Sequence, residues 1–274
     1  MQVSKIVIVV LGLLLTQIAT ANESFPGRKK YPDVKLYEMM QLNNDLNKVI
    51  VIDARSKLEY ETLRITNAVN IPVSSKTFEE QVKAIRSKST KPIVFYCNGH
   101  TCFKSYIAAR KAHRAKVKGV YAYDAGLFSW AQTYPNKSQL LGKSLVNKNQ
   151  IIPTKEFKKR LLTPDAFSNL ASKMGDKSII LDVRDKYQRG ATGFFPGQEK
   201  WVSLDDKEKL NKVLSRAAKE KKSLFIYDEV GKQVRWLQYA LDQASIKNYY
   251  FMKKGAKGYY GQMMKEFGIK NTNM

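Results

Sequence analysis

The chain repeats itself once, and this limits its architecture more than any other feature. Val49-Ile-Val-Ile-Asp53-Ala-Arg55 and Ser178-Ile-Ile-Leu-Asp182-Val-Arg184 both read as short buried strands ending in Asp-x-Arg, with the aspartates 129 residues apart. Ile93-Val-Phe-Tyr-Cys97 matches Leu224-Phe-Ile-Tyr-Asp228, at a spacing of 131 for Cys97 and Asp228. Asp124-Ala-Gly126-Leu-Phe-Ser-Trp130 matches Lys254-Gly255-Ala-Lys-Gly-Tyr259, with the glycines again 129 apart. A period this long describes two tandem units rather than a solenoid.

Within each unit the strands are short, Val/Ile-rich and bounded by polar segments, and they alternate with helix-like stretches. That pattern predicts an α/β fold in which a mostly parallel central sheet is flanked by helices on both faces. Each half is expected to open with a Pro-Asp helix start, Pro32-Asp33 in the first and Thr163-Pro164-Asp165 in the second. The stretch from Pro135 to Pro153 is polar and without a clear period. The expected organisation is therefore a leader over 1–21, a first domain over 22–140, a linker over 141–162 and a second domain over 163–274.

The leader is read from Lys5, the apolar run Ile6-Val-Ile-Val-Val-Leu-Gly-Leu-Leu-Leu15 and the small residues of Ala19-Thr-Ala21 ahead of Asn22. This is the pattern of a secretory signal peptide, and the apolar run is too short to span a bilayer comfortably. The mature chain is expected to be exported, to a bacterial periplasm, with no transmembrane segment after signal removal. Its 48 Lys and Arg against 24 Asp and Glu give a net charge of +24. Such a balance favours anions, anionic lipid headgroups or acidic partners. Export argues against nucleic acid as the partner. Lysines spread over solvated helix faces, as in Lys155-Glu-Phe-Lys-Lys-Arg160, are the simpler reading of the charge.

Both cysteines fall in one stretch, Cys97-Asn-Gly-His-Thr-Cys102-Phe-Lys-Ser105. It follows the apolar run Pro92–Tyr96 and precedes the helix-like Tyr106-Ile-Ala-Ala-Arg-Lys-Ala112. A strand that ends on a cysteine, then a polar loop, then a helix start can hold an anion on sulfur with backbone N–H groups and the helix dipole. A thiol held this way acquires a lowered pKa and acts as a nucleophile. Cys97 is the candidate nucleophile, with Asn98, Gly99, His100, Thr101, Phe103, Lys104 and Ser105 forming its loop. Gly99 is expected to supply a positive φ. Lys104 and His100 are candidates to attract an anionic substrate and depress the thiol pKa. Cys102 has three open readings: it resolves a persulfide on Cys97, pairs permanently with it, or is a passive loop residue. His100 and the cysteines lack the paired spacing of structural zinc sites. No resident metal or cofactor is expected, although a thiophilic ion such as Cu(I) suits these ligands. Asp53 and Arg55 read as a buried pair that holds strand and loop ends together, and Trp130 as a packing anchor.

Four segments of the first half resemble the rhodanese family of sulfurtransferases. These are Ile52-Asp-Ala-Arg55 with Glu59-Tyr60, then Ile65-Thr-Asn-Ala68-Val-Asn-Ile-Pro72, then Tyr96-Cys97, and finally Tyr123-Asp-Ala-Gly126-Leu-Phe-Ser-Trp130 with the later Pro135. The resemblance is good over roughly residues 34–140 and weaker over 163–268. It implies an exported protein of two rhodanese-like domains. The implied activity is that of a thiosulfate sulfurtransferase, in which Cys97 carries sulfane sulfur as a persulfide from an anionic donor to a thiol or cyanide. Six residues separate Cys97 from Lys104-Ser105 where the family has four before Arg-Ser, so the loop is two residues longer and Lys replaces Arg. The second half has Asp228 at the nucleophile position, which implies a non-catalytic domain. Two alternatives stand beside this reading. One is a thiol–disulfide or persulfide redox protein using Cys97 and Cys102 with a thioredoxin-like reductant. The other is a non-catalytic module that binds an acidic partner.

Overall fold

Runs of β-branched and aromatic residues bounded by polar turns build the framework of the computed structural model, which describes residues 25–190, 193–204 and 206–268. The leader expected over 1–21 lies outside the described residues. Among the described residues there are twelve strands. The first half contributes β1 (Ile50–Asp53), β2 (Leu63–Ile65), β3 (Val69–Asn70), β4 (Ile93–Tyr96), β5 (Val120–Tyr123), β6 (Ser138–Leu140) and β7 (Lys143–Ser144). The second contributes β8 (Leu161–Leu162), β9 (Ser178–Asp182), β10 (Glu199–Trp201), β11 (Ser223–Tyr227) and β12 (Tyr249–Met252).

They form two parallel sheets of the same plan, ordered β3-β1-β4-β5 and β10-β9-β11-β12-β8. The central strands β4 and β11 are buried along their whole length, as expected of strands with helices on both faces. The α/β class and the parallel, helix-flanked sheets follow the sequence expectation. Registers repeat as well: Asp53 aligns with Tyr96 across β1 and β4, and Asp182 with Tyr227 across β9 and β11. One continuous apolar core joins the halves, running from Leu127 and Trp130 to Val234, Trp236 and Leu237. Trp130 is fully buried, packs against Tyr123 and Tyr134, and donates from Nε1 to the Lys137 carbonyl at 3.2 Å.

Two expectations change. Pro32-Asp33 does not start a helix. The chain there turns, and Leu36 forms a parallel bridge to Ala122 before the helix Met39–Asn44 begins. The unpaired edge of β5 decides this, because Tyr37 N–H reaches the Ala122 carbonyl and Ala122 N–H the Lys35 carbonyl, both at 2.9 Å. Asp33 is held instead by Arg110. In the second half Leu161–Leu162 covers β12 in the same way, and Pro164 then opens a helix capped by Thr163. The segment 141–162 is not an irregular linker. Residues 138–144 form a hairpin that pairs antiparallel with β2, Thr154–Lys159 is helical, and Leu161–Leu162 belongs to the second sheet.

Gly255, at φ 57°, opens the helix Gly255–Glu266, and a Cβ there would collide with the Asp228 carbonyl and the Val230 and Gly231 amides. Gly261, in the same helix, faces open space. Gly255→Ala should therefore cost about 1–3 kcal/mol in urea unfolding, whereas Gly261→Ala should stabilise by roughly 0.5–1 kcal/mol.

Candidate functional site

β4 delivers Cys97 to the carboxyl end of the first sheet, and the helix Lys104–Arg114 begins seven residues later. No side chain caps that helix start, so the amides of its first turn lack intrahelical partners and make a weakly positive pole. Cys97 is fully buried, with Sγ 3.6 Å from the Ser105 hydroxyl and 3.1 Å from the Cys102 carbonyl. It is joined to Cys102 in a disulfide with a Cα–Cα separation of 6.3 Å.

A buried ionic network holds the loop from beneath. The Arg55 guanidinium donates from Nε to Asp53 Oδ1 at 2.9 Å and from Nη2 to Oδ2 at 2.6 Å, and both residues are fully buried. Arg55 also donates to the Leu63 carbonyl at 2.6 Å and to Asn98 Oδ1 at 3.0 Å. Asn98 in turn donates to Glu59 Oε1 at 2.7 Å, and Glu59 pairs with Lys104 at 3.5 Å. Glu59 is fixed by a capping box with Ser56 at the start of the helix Lys57–Thr62. The chain of contacts thus runs from the end of β1, through the second loop residue, to the first residue of the helix beyond the loop.

Gly99 has the expected positive φ, at 158°, and the tightest point is Gly126 at φ 76°, where a Cβ would strike the backbone of Asn98 and Gly99. The amides of Leu127 and Phe128 hold the same stretch through the Cys97 and Asn98 carbonyls, at 2.9 and 3.3 Å. The other expected roles are modified in two places. The Cys102 amide is used by the Gly99 carbonyl at 2.7 Å, so not every amide of 98–105 is available to an anion. Lys104 and His100 are not simply solvated side chains. Lys104 shares its charge with Glu59, and His100 packs on Phe25 with ring centroids 4.5 Å apart. Thr101 is exposed at the loop tip, and Phe103 lies under Lys30 and beside Tyr31. Among the described residues no group of three His, Cys, Asp or Glu could hold a metal ion.

A cleft of about 650 Å³ opens over this loop, and its far wall comes from the second half. Trp236 stacks on Phe128 at 5.0 Å and lies 5.0 Å from the Arg55 guanidinium. The Arg235 guanidinium sits 3.9 Å over Phe128 and donates to the Thr154 hydroxyl at 3.1 Å. Among the described residues no carboxylate pairs with Arg235, and burial lowers its pKa. Trp236 carries no motif in the sequence, whereas Arg235 stands seven residues after Asp228, as Lys104 does after Cys97. Glu59 was legible as the end of Ser56-x-x-Glu59, a capping-box signature.

In the second half the equivalent loop closes on itself. The Asp228 carboxylate accepts hydrogen bonds from four backbone amides: Val230 at 2.9 Å, Gly231, Gln233 at 2.5 Å and Val234 at 3.0 Å. Burial raises its pKa while the four amides oppose that shift. Asp228 sits at the end of β11, ahead of the helix Val234–Gln243. It occupies with its own oxygens the cradle that Cys97 marks in the first half.

Glu59 provides a pH test of the network. Burial pushes its carboxyl up, but the charges of Lys104 and Arg55 and the hydrogen bonds from Asn98 and Ser56 outweigh this and hold it at about 2, against an ordinary 4.5. The folded state therefore favours the carboxylate, and the resulting stability is complete above pH 4.5 and lost as pH falls towards 2. Urea unfolding of the wild type should lose about 3 kcal/mol across that interval from this group, and Glu59→Gln should remove that share of the loss.

Residues 35–133 match the family model described as Rhodanese-like domain. No curated protein matches the chain. Among solved structures, a Bacillus halodurans protein is 21% identical with a TM-score of 0.37, covering 51% of this chain and 98% of its own. A Pseudomonas aeruginosa thiosulfate sulfurtransferase is 16% identical with a TM-score of 0.38, covering 86% of this chain and 43% of its own. A human single-domain sulfurtransferase is 22% identical with a TM-score of 0.30, covering 35% and 95%.

Proposed function

We propose that the rhodanese-like first half is a sulfurtransferase and that Cys97 carries the transferred sulfur. The observation that supports this most directly is the position of the Cys97 sulfur. It is buried at the end of β4, beside the Ser105 hydroxyl in the first turn of an uncapped helix. In the reduced protein that turn and the Ser105 O–H stabilise a thiolate. The thiolate attacks the outer sulfur of a donor such as thiosulfate; the S–S bond of the donor breaks, sulfite leaves with the bonding pair, and a Cys97 persulfide remains. A thiol or cyanide then takes the outer sulfur and returns the Cys97 thiolate. The two displacements share one enzyme-bound intermediate, so the kinetics are ping-pong.

The disulfide with Cys102 leaves no free nucleophile, so this activity belongs to the reduced form and depends on a reducing partner such as a thioredoxin-like protein. The second half, with a carboxylate that cannot carry sulfane sulfur, acts as a wall of the site rather than as a second catalyst. Two rhodanese-like domains and an exported, periplasmic location belong to the same proposal.

Reduced wild type should form thiocyanate from thiosulfate and cyanide. Cys97→Ser should lower the rate by at least about a hundredfold. The air-oxidised protein should be inactive until a dithiol is added. Retained activity in Cys97→Ser would overturn the assignment, and a reduced wild type with no activity would favour a non-catalytic binding module.

A further inference from the structure

The two sulfurs of the pair are not equivalent, and their difference suggests a direction for the chemistry. Cys97 is fully buried under the loop, next to Ser105. Cys102 is only partly buried and lines the cleft between the halves, as do Lys104 and Arg235. The loop residues between them fold into a turn closed by the Cys102 amide on the Gly99 carbonyl, and this turn returns Cys102 onto Cys97. Contacts from outside the loop keep that geometry in place. Phe25 packs on His100, Lys30 lies 4.9 Å over the Phe103 ring, and Tyr31 stacks on Tyr106 at 5.4 Å. Gly126 and the amides of Leu127 and Phe128 fix the other side. The loop is thus braced on two sides in the conformation that brings the sulfurs into bonding contact.

We propose that Cys102 is a resolving cysteine, so that in the absence of an external acceptor the protein releases the sulfur it takes up as sulfide. This rests on the assignment of Cys97 as the sulfur carrier. In the step, the Cys102 thiolate attacks Sγ of the Cys97 persulfide. A Cys97–Cys102 bond forms, the bond between Cys97 Sγ and the outer sulfur breaks, and that sulfur leaves as HS⁻ with the electron pair. The outer sulfur is reduced to sulfide, and the two cysteines are oxidised to the disulfide seen in the structure. A dithiol then restores the enzyme. It attacks the accessible Cys102 sulfur, expels the Cys97 thiolate into its stabilising pocket, and leaves as its own disulfide while a proton passes to Cys102. Burial protects the Cys97 sulfur from the dithiol, so the reductant is directed to Cys102. The cycle converts the sulfane sulfur of a donor to sulfide at the expense of a dithiol.

The test is a single turnover without acceptor. The full-length mature protein is reduced, freed of reductant and mixed with thiosulfate; sulfite and sulfide are measured, and the protein mass is read after alkylation. The expected wild-type result is one sulfide and one unalkylatable cysteine pair for each sulfite released. Cys102→Ser should release sulfite, become one sulfur heavier and give sulfide only at background until an external thiol is added. A wild type that gains the sulfur and keeps it, with Cys102 still alkylatable, would overturn the resolving role and leave the sulfur-carrier assignment standing. A wild type that releases no sulfite and gains no mass would overturn that assignment and this inference together. The wild-type stoichiometry decides the matter even if the variant folds poorly.

Discussion

The site depends on one buried ion pair. Asp53 and Arg55 are only two residues apart and both fully buried, and the guanidinium engages the carboxylate through two nitrogens. Removing two charges from water is costly, and such a pair persists only where the remaining donors and acceptors are satisfied. Here the spare donors of Arg55 are what organise the surroundings, reaching the Leu63 carbonyl and Asn98. Through Asn98 the pair holds the loop after Cys97, and through Glu59 it reaches Lys104 at the start of the next helix. Truncating one partner would strand a buried charge, at a cost of about 3–5 kcal/mol, and would release the loop at both ends.

The second half copies this joint and uses it differently. Arg184 grips Asp182 with the same bidentate geometry, at 3.0 and 2.8 Å. Arg189 adds a third contact to that carboxylate, and Trp201 closes on the Arg184 carbonyl. Above the joint, Asp228 fills its own amide cradle. An internal carboxylate with four backbone donors leaves that loop no vacancy for an external anion, and it makes the loop a fixed platform. Arg235 and Trp236, immediately beyond, are presented to the first half from that platform. The same fold thus supplies the loop that holds the cysteine pair in one half and a wall of the cleft in the other, and the difference turns on Cys97 against Asp228.

Much of this was legible from the chain. The central strands, the Asp-x-Arg strand ends and the glycines Gly126 and Gly255 were all visible through the repeat, because buried parallel strands need continuous apolar runs and close approaches need glycine. The Pro32-Asp33 helix start was misread, since local helix signals could not anticipate that the edge of β5 would take the chain as a bridging strand. The hairpin within 138–144 was missed for a similar reason. Its residues are polar and aperiodic, and they become ordered by pairing with β2 and not by any pattern of their own.

The sequence by itself determined the two α/β units, the location of the thiol loop and the absence of a cysteine in the second copy, because these follow from local apolar patterning and residue identity. Only the tertiary structure decided which neighbours that loop would have. Phe25 on His100, Glu59 on Lys104, and Arg235 and Trp236 across the cleft are contacts between residues distant in the chain, set by how the sheets and their helices pack. So too is the contrast between a buried Cys97 and a cleft-lining Cys102, since exposure belongs to the folded surface and not to the residue. That contrast gives two neighbouring cysteines unequal access from the cleft.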